Sequence, residues 1–118
     1  MKHIEVEKYL LTLPGATLSI QWGSDRIFKV GGKMFVGMGD YRDGKGSLSF
    51  KASEESFRIL TDLPGIIPAP YLARASWVQL DKPTRLKAAE LKAYLARAHA
   101  IVASGLPKKT QKQLGIVP

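Results

Sequence analysis

Any side-chain chemistry in this chain has to be built from two histidines, His3 and His99, ten carboxylates and no cysteine. The missing cysteine removes disulfides, thiolate nucleophiles and cysteine metal ligands together. Nucleophilic catalysis needs an activated nucleophile, a base within hydrogen-bond reach and a group that orients the base. His3 stands near the terminus and His99 in the last long helical stretch, and no Gly-x-Ser-x-Gly elbow accompanies either. His99 therefore reads as a partly exposed helix residue rather than a base. Asp40 and Asp43 flank Tyr41-Arg42 without the alternating acids of a calcium loop, so they read as turn formers. Gly37-Met38-Gly39 lacks the third glycine and the following helix of a dinucleotide site. Gly105-Leu106-Pro107-Lys108-Lys109-Thr110 lacks the spacing of a phosphate-binding Walker loop. The expectation is a non-enzymatic protein with no catalytic residues, cofactor or metal.

Positive charge is the constellation that remains. Eighteen lysines and arginines against ten acids give a formal charge of +8, and such an excess attracts polyanions through its summed field. Lys29 and Lys33 flank a Gly31-Gly32 pair, Arg42 and Lys45 lie in the next glycine-rich loop, and Lys51 ends a strand-like run. Lys108, Lys109 and Lys112 stand near the C-terminus. These eight are the candidate DNA contacts, because lysine and arginine on phosphate give affinity without sequence readout. The alternative is a small-ligand or protein-interaction module, with Trp22, Tyr71 and Trp77 lining an apolar pocket beside a proline-rich connection. Tryptophans next to strands also serve as core.

Elements that would position these residues follow from the spacing of apolar side chains. Val6, Tyr9, Leu10 and Leu13 make one helical stripe, stopped by Pro14-Gly15. Thr17 to Trp22 reads as a strand. Arg26 to Val30 and Lys33 to Met38 read as a hairpin, since Gly-Gly supplies the positive φ of a tight turn. A two-residue loop sets Val30 against Lys33, Lys29 against Met34, Phe28 against Phe35 and Ile27 against Val36. One face then carries Phe28, Val30 and Phe35, and the other Ile27, Met34, Val36 and Met38. Ser47 to Lys51 alternates with Leu48 and Phe50 inward, completing an antiparallel meander.

Ser53 is placed to cap a second helix, with Glu54 and Glu55 in its first turn. Ile66 to Tyr71, interrupted by Pro68 and Pro70, reads as a buried extended connection. Trp77 to Asp81 reads as a strand and residues 86–104 as a long helix, stopped by Gly105 in a left-handed conformation. A short helix from Pro107 and a frayed end over Gly115 to Pro118 complete a single domain, 1–118, with 105–118 as a basic C-terminal extension. Leu11-Thr12-Leu13-Pro14-Gly15 and Leu60-Thr61-Asp62-Leu63-Pro64-Gly65 form an internal echo, which suggests two related halves. No apolar run approaches the ~18 residues of a membrane span, and the N-terminus is acidic where a signal peptide would be apolar. A cytoplasmic, membrane-free monomer is expected.

The order of these pieces resembles the MmcQ/YjbR family. The resemblance is carried by Leu13-Pro14-Gly15-Ala16-Thr17, Trp22-Gly23, Phe28-Lys29-Val30-Gly31-Gly32-Lys33-Met34-Phe35 and Leu48-Ser49-Phe50-Lys51-Ala52. It continues through Leu63-Pro64-Gly65-Ile66-Ile67-Pro68-Ala69-Pro70-Tyr71-Leu72, Trp77-Val78-Gln79-Leu80 and Leu106-Pro107-Lys108-Lys109. It implies an α+β fold of the double-wing type, an antiparallel sheet meander packed against helices, and a DNA-binding role. The family's Ser-Tyr pair in the last long helix is replaced here by Ala98-His99. The double wing is related in shape to the frataxin-like fold, but the acidic helix that serves iron handling there is reduced to Glu5 and Glu7.

Overall fold

Apolar residues at every second position build one sheet, and those at helical spacing build the layer that covers it. The computed structural model describes residues 1–116 apart from Trp22, Tyr71 and the side chain of Arg74. The elements are α1 (His3–Leu10), β1 (Ala16–Gln21), β2 (Asp25–Val30), β3 (Lys33–Met38), β4 (Leu48–Lys51), α2 (Glu54–Leu60), β5 (Ile66–Pro68), β6 (Trp77–Leu80), α3 (Ala88–Ser104) and α4 (Lys108–Gln113). All six strands join one antiparallel sheet in the order β1-β2-β3-β4-β6-β5. The fold is α+β, a four-strand meander extended by a reversed pair. Among the described residues no helix is long and apolar enough to cross a membrane.

Cross-strand rows show which side is buried. Leu18, Phe28, Val36, Phe50 and Val78 stand in one row, and Met38, Leu48, Leu80 and Ile66 in the next. All of these belong to the core or pack against it. α3 lays Leu91, Leu95 and Ala98 on these rows at i, i+4 and i+7, while α1 adds Val6 and Leu10 and α2 adds Leu60. Full burial of each large apolar side chain contributes about 1.5–3 kcal/mol.

The hairpin departs from its expected register at one residue. Val30 faces Lys33 and Lys29 faces Met34, but Phe28 faces Val36 and Ile27 faces Gly37. Phe35 is the extra residue of a β-bulge, so Phe35 and Val36 both enter the core although they are consecutive. The slip exchanges the faces of everything beyond it. Val36 and Met38 join Phe28 in the core, and Gly37 takes the place on the opposite face expected of Val36.

Phe35 packs against His99, with ring centroids 5.3 Å apart at 85°. His99 is buried rather than partly exposed, and its Nε2 donates to the Pro14 carbonyl oxygen at 2.7 Å. A carbonyl can only accept, so Nε2 carries the proton.

The echo between the two halves is structural. After α1, Leu13 N–H bonds to the Leu10 carbonyl and Ala16 N–H to that of Leu13; after α2, Leu63 bonds to Leu60 and Ile66 to Leu63. Both segments then enter an edge strand, β1 or β5. Pro68 is tolerated on such an edge because its outer side needs no donor. The connection expected to be buried is therefore only half so, with Ile66 and Ala69 inside and Ile67 and Pro68 exposed.

Ser53 caps α2 as expected, its Oγ accepting the Ser56 N–H at 3.1 Å. Gly105 ends α3 at φ −83°, not in the left-handed region, because the chain runs straight on into α4. Ile116 is not frayed: its N–H bonds to the Gln111 carbonyl at 2.9 Å and its side chain packs on the core. Val117 and Pro118 lie outside the described residues.

Candidate functional site

The hairpin tip and the C-terminal segment meet at one end of the sheet. Leu106 lies so close to Gly31, at φ +58°, that a Cβ there would stand 2.6 Å from Leu106 Cδ1. Leu114 packs in the same way on Gly15, which precedes β1. α4, which lies between these two leucines, therefore runs across the ends of β1 and β2. It leaves Lys108, Lys109 and Lys112 exposed beside the exposed Lys33.

Lys29 and Lys51 belong to the same end of the sheet. Lys29 is half-buried opposite Met34, and Lys51 is half-buried opposite Trp77, where its Nζ donates to the Ala75 carbonyl. Among the described residues the four ion pairs all use arginine, so none of these six lysines is neutralised by a carboxylate.

Arg42 and Lys45 stand at the opposite end, beyond a strand of six residues that spans roughly 20 Å. Arg42 grips both oxygens of Asp40 at 2.7–3.1 Å and also donates to Ser24 Oγ. The guanidinium hydrogen bonds hold the Asp40 carboxyl down at about 2. Lys45 has Asp43 beside it, whose carboxylate accepts the Lys45 backbone N–H at 2.9 Å. By end of the sheet the eight candidate basic residues thus divide into six and two, and of the six Lys29 and Lys51 lie on the face away from the helices while Lys108, Lys109 and Lys112 are carried by α4.

A polar cluster not expected from sequence fastens that second loop to α1. Glu7 accepts from Arg26 Nε at 2.7 Å and from the Tyr41 hydroxyl at 3.2 Å. Arg26 lies 4.8 Å from the Tyr41 ring centroid, His3 stacks on Tyr41 at 5.1 Å, and His3 Nε2 donates to the Gly46 carbonyl. Burial, reinforced by the Glu7 charge, pushes the Tyr41 phenol up. Every polar member has a partner within the cluster, so its work is to hold the loop.

The face of the sheet away from the helices is where the bulge matters. Ser19, Ile27, Gly37, Ser49, Gln79 and Ile67 form one row across all six strands. At its centre lies a depression of about 420 Å³, inside the ~300–1,000 Å³ typical of small-molecule sites. Its apolar wall is Ile27, Met34, Leu72 and Trp77, and its polar groups are Asp25, Ser47, Ser49 and Gln79. Ser49 Oγ and Gln79 Oε1 are 3.5 Å apart, a long contact that leaves both groups free to bond elsewhere.

Trp77, expected as a pocket residue, lines this depression although it is itself buried. Trp22 and Tyr71, expected beside it, lie outside the described residues. The polar lining was missed in the sequence; its one visible signal was that Leu48 and Phe50 point inward, which sends Ser49 outward. Among the described residues no group of three histidines and carboxylates is arranged to hold a metal.

Comparison with known proteins agrees with this architecture. No curated protein matches the sequence. A crystal structure of a Deinococcus radiodurans protein with a DUF419 domain superimposes with a TM-score of 0.85 at 22% identity, covering 98% of this chain and 89% of that one. A Pseudomonas syringae protein superimposes with a TM-score of 0.66 at 18% identity, covering 83% of this chain and 96% of that one. At these identities the likeness is one of fold. The family model described as YjbR matches residues 11–101, and the chain belongs to the YjbR family.

Proposed function

We propose that this protein is a non-enzymatic, cytoplasmic DNA-binding protein that holds phosphates through the basic end of its sheet. The observation that supports this reading is the contact of Leu106 with Gly31, which brings the segment bearing Lys108, Lys109 and Lys112 against the turn that precedes Lys33. Lys29, Lys33, Lys51, Lys108, Lys109 and Lys112 form the grip, and Arg42 and Lys45 give a weaker outlying contact because Asp40 already occupies Arg42. Lysine is suited to this role as a hydrated point charge that engages phosphate without fixed geometry. Weak sequence preference follows, since phosphate contacts carry no base information.

Titrating a short duplex DNA at increasing salt tests the proposal. Engagement of four to six phosphates gives a log-log slope of roughly −4 to −5. Absence of binding at low salt ends it. The second reading, a small-ligand module, is favoured by the depression beside Trp77; saturable binding of an uncharged ligand there, with no affinity for DNA, would select it.

A further inference from the structure

The depression and the lysines around it differ in charge in a way that identifies an occupant. Among the described residues no basic side chain lines the depression; its polar groups there are the Asp25 carboxylate, the Ser47 and Ser49 hydroxyls and the Gln79 amide. Its floor, Ile27, Met34 and Trp77, is apolar. Two lysines stand just outside. Lys29 is the cross-strand partner of Met34 and Lys51 that of Trp77, each about 5 Å away between Cα atoms. Lys51 donates one hydrogen bond to the Ala75 carbonyl, and an ammonium group has two more donors to offer.

An anion alone would avoid Asp25, and an acyl chain would leave the carboxylate, amide and hydroxyls unpaired. A planar heterocycle bearing both donors and acceptors satisfies the apolar floor and the polar rim at once. A phosphate attached to it falls toward Lys29 and Lys51. We infer that the uncovered face of the sheet takes an unpaired nucleobase, with the flanking backbone held by Lys29 and Lys51, so that single-stranded nucleic acid is preferred over duplex. This rests on the phosphate grip proposed above. A duplex keeps its bases stacked inside and can use only that grip, whereas a single strand can offer a base as well.

Gly37 provides the test. A Cβ added there meets only Ile27 Cδ1, at 3.8 Å, and the residue sits in a strand without positive φ. Gly37→Leu therefore fills the depression and leaves every lysine in place; Gln79→Leu removes a rim hydrogen bond without adding bulk at the floor. Affinities for a short mixed-sequence DNA single strand and for its duplex are measured at one salt concentration. The expected result is about tenfold tighter binding of the single strand, with both variants losing that excess and keeping duplex affinity. Equal affinity of the unmodified protein for the two forms, or an excess that both variants retain, overturns the inference and leaves the phosphate grip standing. Binding of neither form at low salt removes both.

Discussion

Gly37 stands directly opposite Ile27 on the uncovered face of the sheet, and its missing side chain opens the depression there. The pairing exists only because Phe35 is bulged. Without the extra residue Val36 would face Ile27, and two β-branched side chains would close the surface. The bulge thus adds a large side chain to the core and removes one from the opposite face.

Phe35→Ala is expected to destabilise the protein by about 3–5 kcal/mol, comparable to Phe28→Ala, in denaturant titrations. The unbulged register also turns Phe35 inward, so Val36 decides between the two: Val36→Ala should cost more than about 1 kcal/mol, and a loss below about 0.5 kcal/mol, typical of surface positions, would place Val36 on the uncovered face and refute the bulged register.

Gly31→Ala tests the junction between the hairpin and the C-terminal segment. The residue has φ +58° and its Cβ would collide with Leu106, so a loss of about 1–3 kcal/mol is expected. Gly32→Ala, where a Cβ meets nothing within 4 Å, serves as the control for backbone strain alone and should cost less.

His99→Ala removes the hydrogen bond to Pro14 and the edge contact with Phe35. A stability loss of about 2–4 kcal/mol is expected, with DNA affinity of the folded variant unchanged. A selective loss of affinity would assign His99 a role beyond packing.

Asp40→Asn releases Arg42. If phosphate binding is electrostatic, the freed guanidinium adds a contact, raising duplex affinity and steepening the salt slope by about one. The pair also has a pH signature. Arg42 lowers the Asp40 carboxyl from 3.8 to about 2, so its stabilisation is complete above about pH 4 and is lost as pH falls through 2. A carboxyl titration followed by NMR should show its midpoint near 2; an ordinary midpoint would mean the pair does not form in solution.

Most of the scaffold could be read from residue types. Helical stripes such as Leu91, Leu95 and Ala98, the Ser53 cap and the Gly31-Gly32 turn are local signals, and each acts where it was expected. The bulge was invisible because Phe35-Val36 is apolar whichever residue turns inward; in the structure both do, with Phe35 against His99, 64 positions away. The depression was hidden for the same reason, since its rim comes from β2, β4 and β6 and its centre from a glycine whose face the bulge decides. The approach of α4 to the hairpin turn was equally out of reach, because it rests on the tertiary contact of Leu106 with Gly31.

The most direct measurement compares salt dependence of duplex binding in two variants. Replacing Lys29, Lys33, Lys108 and Lys109 together by glutamine should reduce the magnitude of the log-log slope by about 3–4, with Arg42→Gln and Lys45→Gln together changing it by about one at most. A slope that survives the loss of all four lysines would contradict binding at the basic end of the sheet.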